Sequence, residues 1–288
     1  MPKLTAQQST KRMSRRTIAI AAALSVLALG SPVLTACANP LANSSFISGV
    51  GKYEQGDYQG AIAEYTKVIE IYPKSVDAYY NRGLAKDDSG DYEGAIADYT
   101  KAIEIDPRYA IAYGNRGNSK NRLGDYQGAI ADYSKAIEVN PKDAVAYYNR
   151  GNAKSVLGDY QGAIADNTKA IEINPKFALA YYNRGNAKFE LEDHQGAIAD
   201  YNKSIEINPG YGDAYGNRGN AKSNLDDYQG AIADYNKALE INPQNASNYV
   251  NRGIARESIN DLEGACRDWR KAVDLGDERS AEWVKEQC

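Results

Sequence analysis

Histidine is almost missing from this chain of 288 residues, with His194 alone, and the other scarce types are three cysteines, two tryptophans and three phenylalanines. So little imidazole and thiol leaves no cluster with metal-ligand spacing, and no histidine lies near an activated nucleophile. Phosphate-cradling glycine loops are absent too, because the glycines follow a regular beat along the chain. No close acid pair stands apart from that beat. These absences give no catalytic residue, no metal and no cofactor, and they turn attention to what is plentiful: tyrosine, 23 residues, and repetition.

Nearly the same phrase recurs every 34 residues: GDYQGAI from Gly56, GDYEGAI from Gly90, GDYQGAI from Gly124 and Gly158, EDHQGAI from Glu192, DDYQGAI from Asp226 and NDLEGAC from Asn260. A proline keeps step at Pro73, Pro107, Pro141, Pro175, Pro209 and Pro243. A fixed period of this length means stacked copies of one small unit. His194 falls where five other units have tyrosine, so packing is its expected role.

In the unit 144–177, Ala163, Ile164, Asn167, Ala170 and Ile171 have helical spacing, with Asn167 replacing the usual tyrosine. Gly158 can end a preceding helix in the left-handed conformation, Asp159 can cap the next, and Pro175 stops it. The first half of the unit has one weak point, Gly151. A glycine inside a helix costs about 1 kcal/mol relative to alanine. Its recurrence at Gly49, Gly83, Gly117, Gly185, Gly219 and Gly253, twelve residues before the alanine of the repeated phrase, predicts two antiparallel helices touching closely at small residues. One such pair cannot bury its apolar face alone, so neighbouring pairs must stack.

With Tyr147, Gly151, Leu157, Ala163, Ala170 and Pro175 in that order, the unit resembles the tetratricopeptide repeat family, and comparable sets recur from Ala42 to Arg279. The resemblance implies an all-α solenoid, a right-handed superhelix of seven helix-turn-helix units: 42–75, 76–109, 110–143, 144–177, 178–211, 212–245 and 246–279. Residues 280–288 follow as a capping helix, with Ala281, Trp283, Val284 and Gln287 on one face and folding back over the last unit. Two departures from the family stand out. Lys52, Lys86, Lys120, Lys154, Lys188, Lys222 and Arg256 replace a late aromatic. An arginine lies four residues earlier in all but the first unit, with nearby tyrosine faces and Asp98, Asp132, Asp166, Asp200 and Asp234 as expected partners.

The leader points to export. Residues 1–36 carry Lys3, Lys11, Arg12, Arg15 and Arg16 without an acid, then an apolar run from Ile18 to Gly30. The following LTAC, ending at Cys37, resembles a bacterial lipobox, which implies a signal peptide over 1–36, acylation of Cys37 and a short tether over 37–41. Ala36, Cys37 and Ala38 also satisfy the small-residue rule for ordinary cleavage before Asn39, giving a soluble secreted or periplasmic protein, and the apolar run left uncleaved as an anchor is a further alternative. Loss of the leader takes the formal charge from −4 to −9, because its five basic residues are its only charges. An acidic surface disfavours nucleic acid and favours basic or neutral protein partners. Cys266 and Cys288 lie at similar heights on antiparallel helices if the chain turns near Leu275, so they are a disulfide candidate, the alternative being two free thiols.

Projected at 100° per residue, the first helix of each unit turns its second, fifth, sixth, ninth, twelfth and thirteenth residues to one face. In the resembling family that face lines a concave groove. Its sixth position is Asn81, Asn115, Asn149, Asn183, Asn217 and Asn251; its ninth is Asn118, Asn152, Asn186 and Asn220; Tyr148 and Tyr182 stand at the fifth. Amides facing solvent in this way can pair with a peptide backbone without reading its side chains. Bonds between neighbouring helices are the competing role. Asp87, Asp88, Arg122, Phe189, Glu190 and Asn224 break the repetition and are the expected specificity positions. The family resemblance thus points to a non-catalytic, membrane-anchored envelope scaffold binding extended segments of other proteins during assembly, targeting or turnover. Rival readings are a self-associating structural array, an assembly factor for a membrane complex such as a photosynthetic one, and an enzyme with a site spread over several units.

Overall fold

The computed structural model describes residues 39–288, so the leader 1–36 and Cys37 lie outside the described residues. Among the described residues there are fifteen helices and no strand. Contacts divide the chain into two compact units, one ending at Pro141 and one beginning at Lys142. The first holds three helix pairs: α1 (Pro40–Gln55) with α2 (Tyr58–Ile71), α3 (Val76–Ser89) with α4 (Tyr92–Ile105), and α5 (Ala110–Arg122) with α6 (Tyr126–Val139). The second holds four: α7 (Ala144–Val156) with α8 (Tyr160–Ile173), α9 (Ala178–Glu190) with α10 (His194–Ile207), α11 (Gly212–Ser223) with α12 (Tyr228–Ile241), and α13 (Ala246–Ser258) with α14 (Leu262–Asp274). A last helix, α15 (Arg279–Gln287), packs on α14 with Trp283 against Trp269, ring centres 5.3 Å apart.

Each second helix starts on its aspartate. Asp159 Oδ1 accepts from the Gly162 amide at 2.9 Å, and Asp57, Asp91, Asp125, Asp193, Asp227 and Asp261 do the same. A Cβ on Gly162 would sit 2.1 Å from the Asp159 carboxylate, which explains the glycine of the repeated phrase. Between the two helices of a pair the chain turns through a left-handed residue. Gly56, Gly90, Gly124 and Gly158 take it readily, while Glu192, Asp226 and Asn260 adopt φ of 62°, 60° and 65° with a side chain attached.

The helix glycines serve one tyrosine each. A Cβ on Gly185 would lie 2.7 Å from the Tyr201 ring, and Gly49, Gly83, Gly117 and Gly219 face Tyr65, Tyr99, Tyr133 and Tyr235 alike. The close approach is therefore mainly ring over glycine, with the alanine of the repeated phrase buried beside it. At Gly253 the ring is Trp269, and at Gly151 the neighbours are Asn167 Nδ2 at 2.8 Å and the Ala163 carbonyl at 3.3 Å.

Ions brace every pair but the first. Arg184 Nε and Nη2 donate to the two Asp200 oxygens at 2.9 and 2.6 Å, Lys188 Nζ reaches Oδ2 at 2.8 Å, and Arg184 Nη1 donates to Thr168 on the preceding pair at 3.1 Å. The guanidinium also lies 5.6 Å from the Tyr181 ring centre. The same pair of cations meets Asp98, Asp132, Asp166 and Asp234, and at Asp268 Arg256 takes the place of the lysine. Asp200 is only 3% exposed, so water cannot replace a lost partner. Asp200→Ala is expected to cost about 3–5 kcal/mol, because Arg184 and Lys188 then face each other without a counter-charge. A urea titration of the variant against the parent chain measures it; a midpoint shift near zero would contradict the brace.

Burial pushes the phenols of Tyr65, Tyr109, Tyr133, Tyr201, Tyr211 and Tyr235 well above their ordinary range, with nearby carboxylates such as Glu54 and Asp77 adding to it. Their contribution is complete below the unfolded value of about 10 and is lost as pH rises toward the folded one. Helix content should fall cooperatively above about pH 10, with a late phase of tyrosinate absorbance in step with that loss. Circular dichroism and absorbance on one sample check it.

Candidate functional site

The asparagine rail is part of the packing. Buried tyrosine hydroxyls need partners, and the amides supply them. In the first unit Tyr133 donates to Asn118 Oδ1 at 2.9 Å, and Asn115 Nδ2 donates to the Tyr80 hydroxyl at 2.9 Å. Asn118 Nδ2 adds a longer bond to Asn115 Oδ1 at 3.4 Å. Asn81 is buried and turns its amide back to the Asp77 carbonyl at 2.8 Å.

The second unit repeats this more completely. Tyr201 and Tyr235 donate to Asn186 and Asn220 at 2.9 and 2.8 Å. Asn217 Nδ2 donates to the Tyr182 hydroxyl and to Asn186 Oδ1, both at 2.9 Å, and Asn251 Nδ2 donates to Asn220 Oδ1 at 2.9 Å. Tyr148 stacks on Phe177 and Tyr182 on Tyr211, with ring centres 4.9 and 4.8 Å apart. The sixth-position amides thus reach back 31 and 35 residues to the preceding repeat. This differs from the expectation of amides facing solvent: Asn115, Asn149, Asn183, Asn217 and Asn251 are half-buried.

At two of these amides, Asn217 and Asn220, one end remains available. An asparagine has two donor hydrogens and an acceptor oxygen, and the bonds between repeats use one end. Among the described residues, Asn217 Oδ1 and Asn220 Nδ2 have no partner, and both residues line a pocket of about 310 Å³ with Asn186, Phe189, Glu190 and Tyr201. An open acceptor at a sixth position and an open donor at the ninth match the alternation of a peptide backbone.

The irregular positions separate into two kinds. Asp87 is 2% exposed, accepts from Ser119 Oγ at 2.6 Å and sits 3.5 Å from Arg122, while Asp88 accepts from the Tyr53 hydroxyl. Arg122 in turn lies 5.2 Å from the Tyr92 ring centre. Asp87 therefore joins neighbouring helices, which corrects its assignment as a specificity position. Phe189 and Glu190 belong to the pocket instead, and Asn224 is exposed and bonded to the Asn220 carbonyl at 2.9 Å. His194 packs on Phe189, ring centres 5.0 Å apart, and among the described residues no group of acids, cysteines and histidine is placed to hold a metal. At the far end of the second unit, Cys266 on α14 and Cys288 beyond α15 have sulfurs 1.98 Å and Cα atoms 5.7 Å apart.

Comparison with known families matches residues 76–109, 144–177, 178–211, 212–245 and 98–131 to tetratricopeptide repeat models, and 52–86 and 117–155 to a model described as TPR repeat. Together the matches run without a gap from 52 to 245. No curated protein matches the chain. Among solved structures, it is similar to YrrB, described as a TPR protein with an unusual peptide-binding site, at 27% identity over 65% of this chain and 97% of that one, TM-score 0.56. It is similar to MamA at 28% identity over 60% of this chain and 94% of the other, TM-score 0.54. A tetratricopeptide repeat protein from Parabacteroides merdae shares the fold over 86% of this chain and 98% of its own, with 22% identity and TM-score 0.65.

One break in the rail is itself informative. Asn167 stands where Tyr133, Tyr201 and Tyr235 stand in other repeats, so no phenol reaches Asn152, which is exposed while Asn118, Asn186 and Asn220 are half-buried. Asn167 is fully buried, donates to the Ala163 carbonyl at 2.9 Å, and leaves Oδ1 without a partner. Asn167→Tyr removes that orphan acceptor and gives Asn152 its hydroxyl. A gain of about 1–3 kcal/mol is expected. Thermal and urea unfolding of the variant measure it, and a loss of stability would show that the repeat has closed around the smaller side chain.

Proposed function

Because this chain belongs to the tetratricopeptide repeat family, we propose that it is a non-catalytic scaffold of a bacterial cell envelope. It holds extended segments of partner proteins along the amide face, anchored to the membrane by an acyl chain on Cys37 and facing the periplasm or the cell exterior. The observation that carries the reading is the pair of half-used amides, Asn217 and Asn220, at one pocket. Their fixed halves hold them in place without entropy still to be lost, so the free halves meet a peptide already oriented. Similarity to YrrB, with its peptide-binding site, points the same way.

The anchor rests on the leader and on LTAC. Asn39 caps α1, which begins at Pro40, three residues after Cys37. Three extended residues span about 10 Å, so an acylated Cys37 holds the first repeat against the lipid headgroups. Export also suits the Cys266–Cys288 pair, since an oxidising compartment allows a disulfide that ties α15 to the exposed end of the array.

One experiment on membranes tests the whole reading. Cells expressing the chain are labelled with a radioactive fatty acid, and partners are recovered from their membranes with the parent, Cys37→Ser and Asn217→Ala forms. The parent should carry label and bring down a defined set of proteins. Cys37→Ser should lose label and leave the membrane fraction, and Asn217→Ala should stay labelled while losing most of its partners. An unlabelled parent sinks the anchor; unchanged recovery with Asn217→Ala, together with mass that rises with concentration in sedimentation, favours a self-associating array.

A further inference from the structure

We infer that the pocket at Asn186, Phe189, Glu190, Tyr201, Asn217 and Asn220 selects partner segments carrying a basic side chain, arginine or lysine. The inference rests on the peptide-binding reading of that face and adds the chemistry of what it reads. Three observations carry it.

The first is a contrast among the irregular acids. Asp87 is taken up by Ser119 and Arg122, and Asp88 by Tyr53. Glu190 lines the pocket, is exposed, and forms no ion pair among the described residues. The nearby lysines are already engaged: Lys188 on Asp200 and Lys222 on Asp234, both at 2.8 Å. An ionised carboxylate at the edge of a concave site, with its own cations held elsewhere, accepts a charge-assisted hydrogen bond from an incoming donor.

The second is the wall beside it. Phe189 packs against the cluster of Ala197, Tyr201 and Ala221 and against the His194 ring, and also lines the pocket. An aromatic face takes both the methylene stem and the cationic head of a basic side chain. The third is the amide pair: Asn217 Oδ1 and Asn220 Nδ2 hold the backbone on either side while the side chain is read. With a formal charge of −9 beyond the leader, the wider surface draws a basic segment in and repels an acidic one.

The test uses the full chain and three synthetic dodecapeptides of glycine and serine that differ only at the centre: arginine, its neutral isostere citrulline, or glutamate. Binding is followed by chemical-shift changes of the chain's amides, for the parent, Glu190→Gln and Asn217→Ala. Glu190 is exposed at the end of α9, so Glu190→Gln should leave the fold intact, which the unperturbed spectrum verifies. The arginine peptide should bind the parent about tenfold more tightly than the citrulline peptide and least of all with glutamate, and Glu190→Gln should erase the arginine advantage. Added salt should weaken the arginine peptide alone. Equal binding of all three peptides, lowered by Asn217→Ala, would overturn the basic preference and leave the peptide-binding face standing. Binding of none would remove the face and the preference together.

Discussion

In six of the seven repeats a buried aspartate is held by two cations four residues apart on the facing helix, an arginine and a lysine in five of them and Arg252 with Arg256 in the last, and the geometry of the pair follows from it. Asp98, Asp132, Asp166, Asp200, Asp234 and Asp268 are too deep for water to compensate, so each must meet both cations at one rotation and one height of the helix. A slip by one residue would leave a charge buried alone. Such a site adds little net stability compared with an apolar filling, but it penalises alternatives heavily. The arginine also reaches the preceding second helix, at Thr66, Thr100, Thr168, Asn202 or Asn236, so the brace that aligns a pair also aligns the pair before it. Where the brace is missing, in the first repeat, Ser48 replaces the arginine and Lys52 turns to Glu64 at 3.0 Å.

The amide rail follows as a second layer. Once the brace fixes the helices, an aromatic ring fills the space over six of the seven recurring helix glycines, and where it is Tyr133, Tyr201 or Tyr235 its hydroxyl arrives at the groove needing a partner. Asn118, Asn186 and Asn220 answer that need, and Asn217 and Asn251 bond to the carbonyls of the last two. Packing thus sets the orientation of the amides, and the proposed recognition would use the donor or acceptor left over. A ligand face built this way is rigid at little cost, since the bonds that hold it are already required by the core.

The helices, their caps and the arginine–aspartate partnership were legible in the residues, because each depends on spacing within one repeat. The left-handed turns at Glu192, Asp226 and Asn260 were less so, since nothing but their place in the beat marks them as successors of Gly158. The rail escaped in its bonding and not in its location. A helical projection tells which face Asn217 occupies, but its partners lie 31 and 35 residues earlier, and that pairing depends on the stacking of one repeat on the next. Asp87 was misplaced for the same reason: its partner Ser119 is on another repeat, 32 residues away. The isolation of Asn152, by contrast, could have been read from the loss of tyrosine at Asn167.

Repetition alone cannot place a ligand. On a rail of equal amides, an extended segment shifted by one repeat would meet the same donors and acceptors, so binding would be spread over several registers of equal energy. A defined complex needs at least one residue that occurs once. Within the second unit those residues are Phe189 and Glu190, at positions filled in its other repeats by Ser155 and Val156, Ser223 and Asn224, and Glu257 and Ser258. A side chain that satisfies Glu190 is matched in one register and left facing Val156 or Asn224 in the next. On the proposed reading, the difference between those two placements, and not the strength of the amide bonds, would decide which segment is held and where it starts.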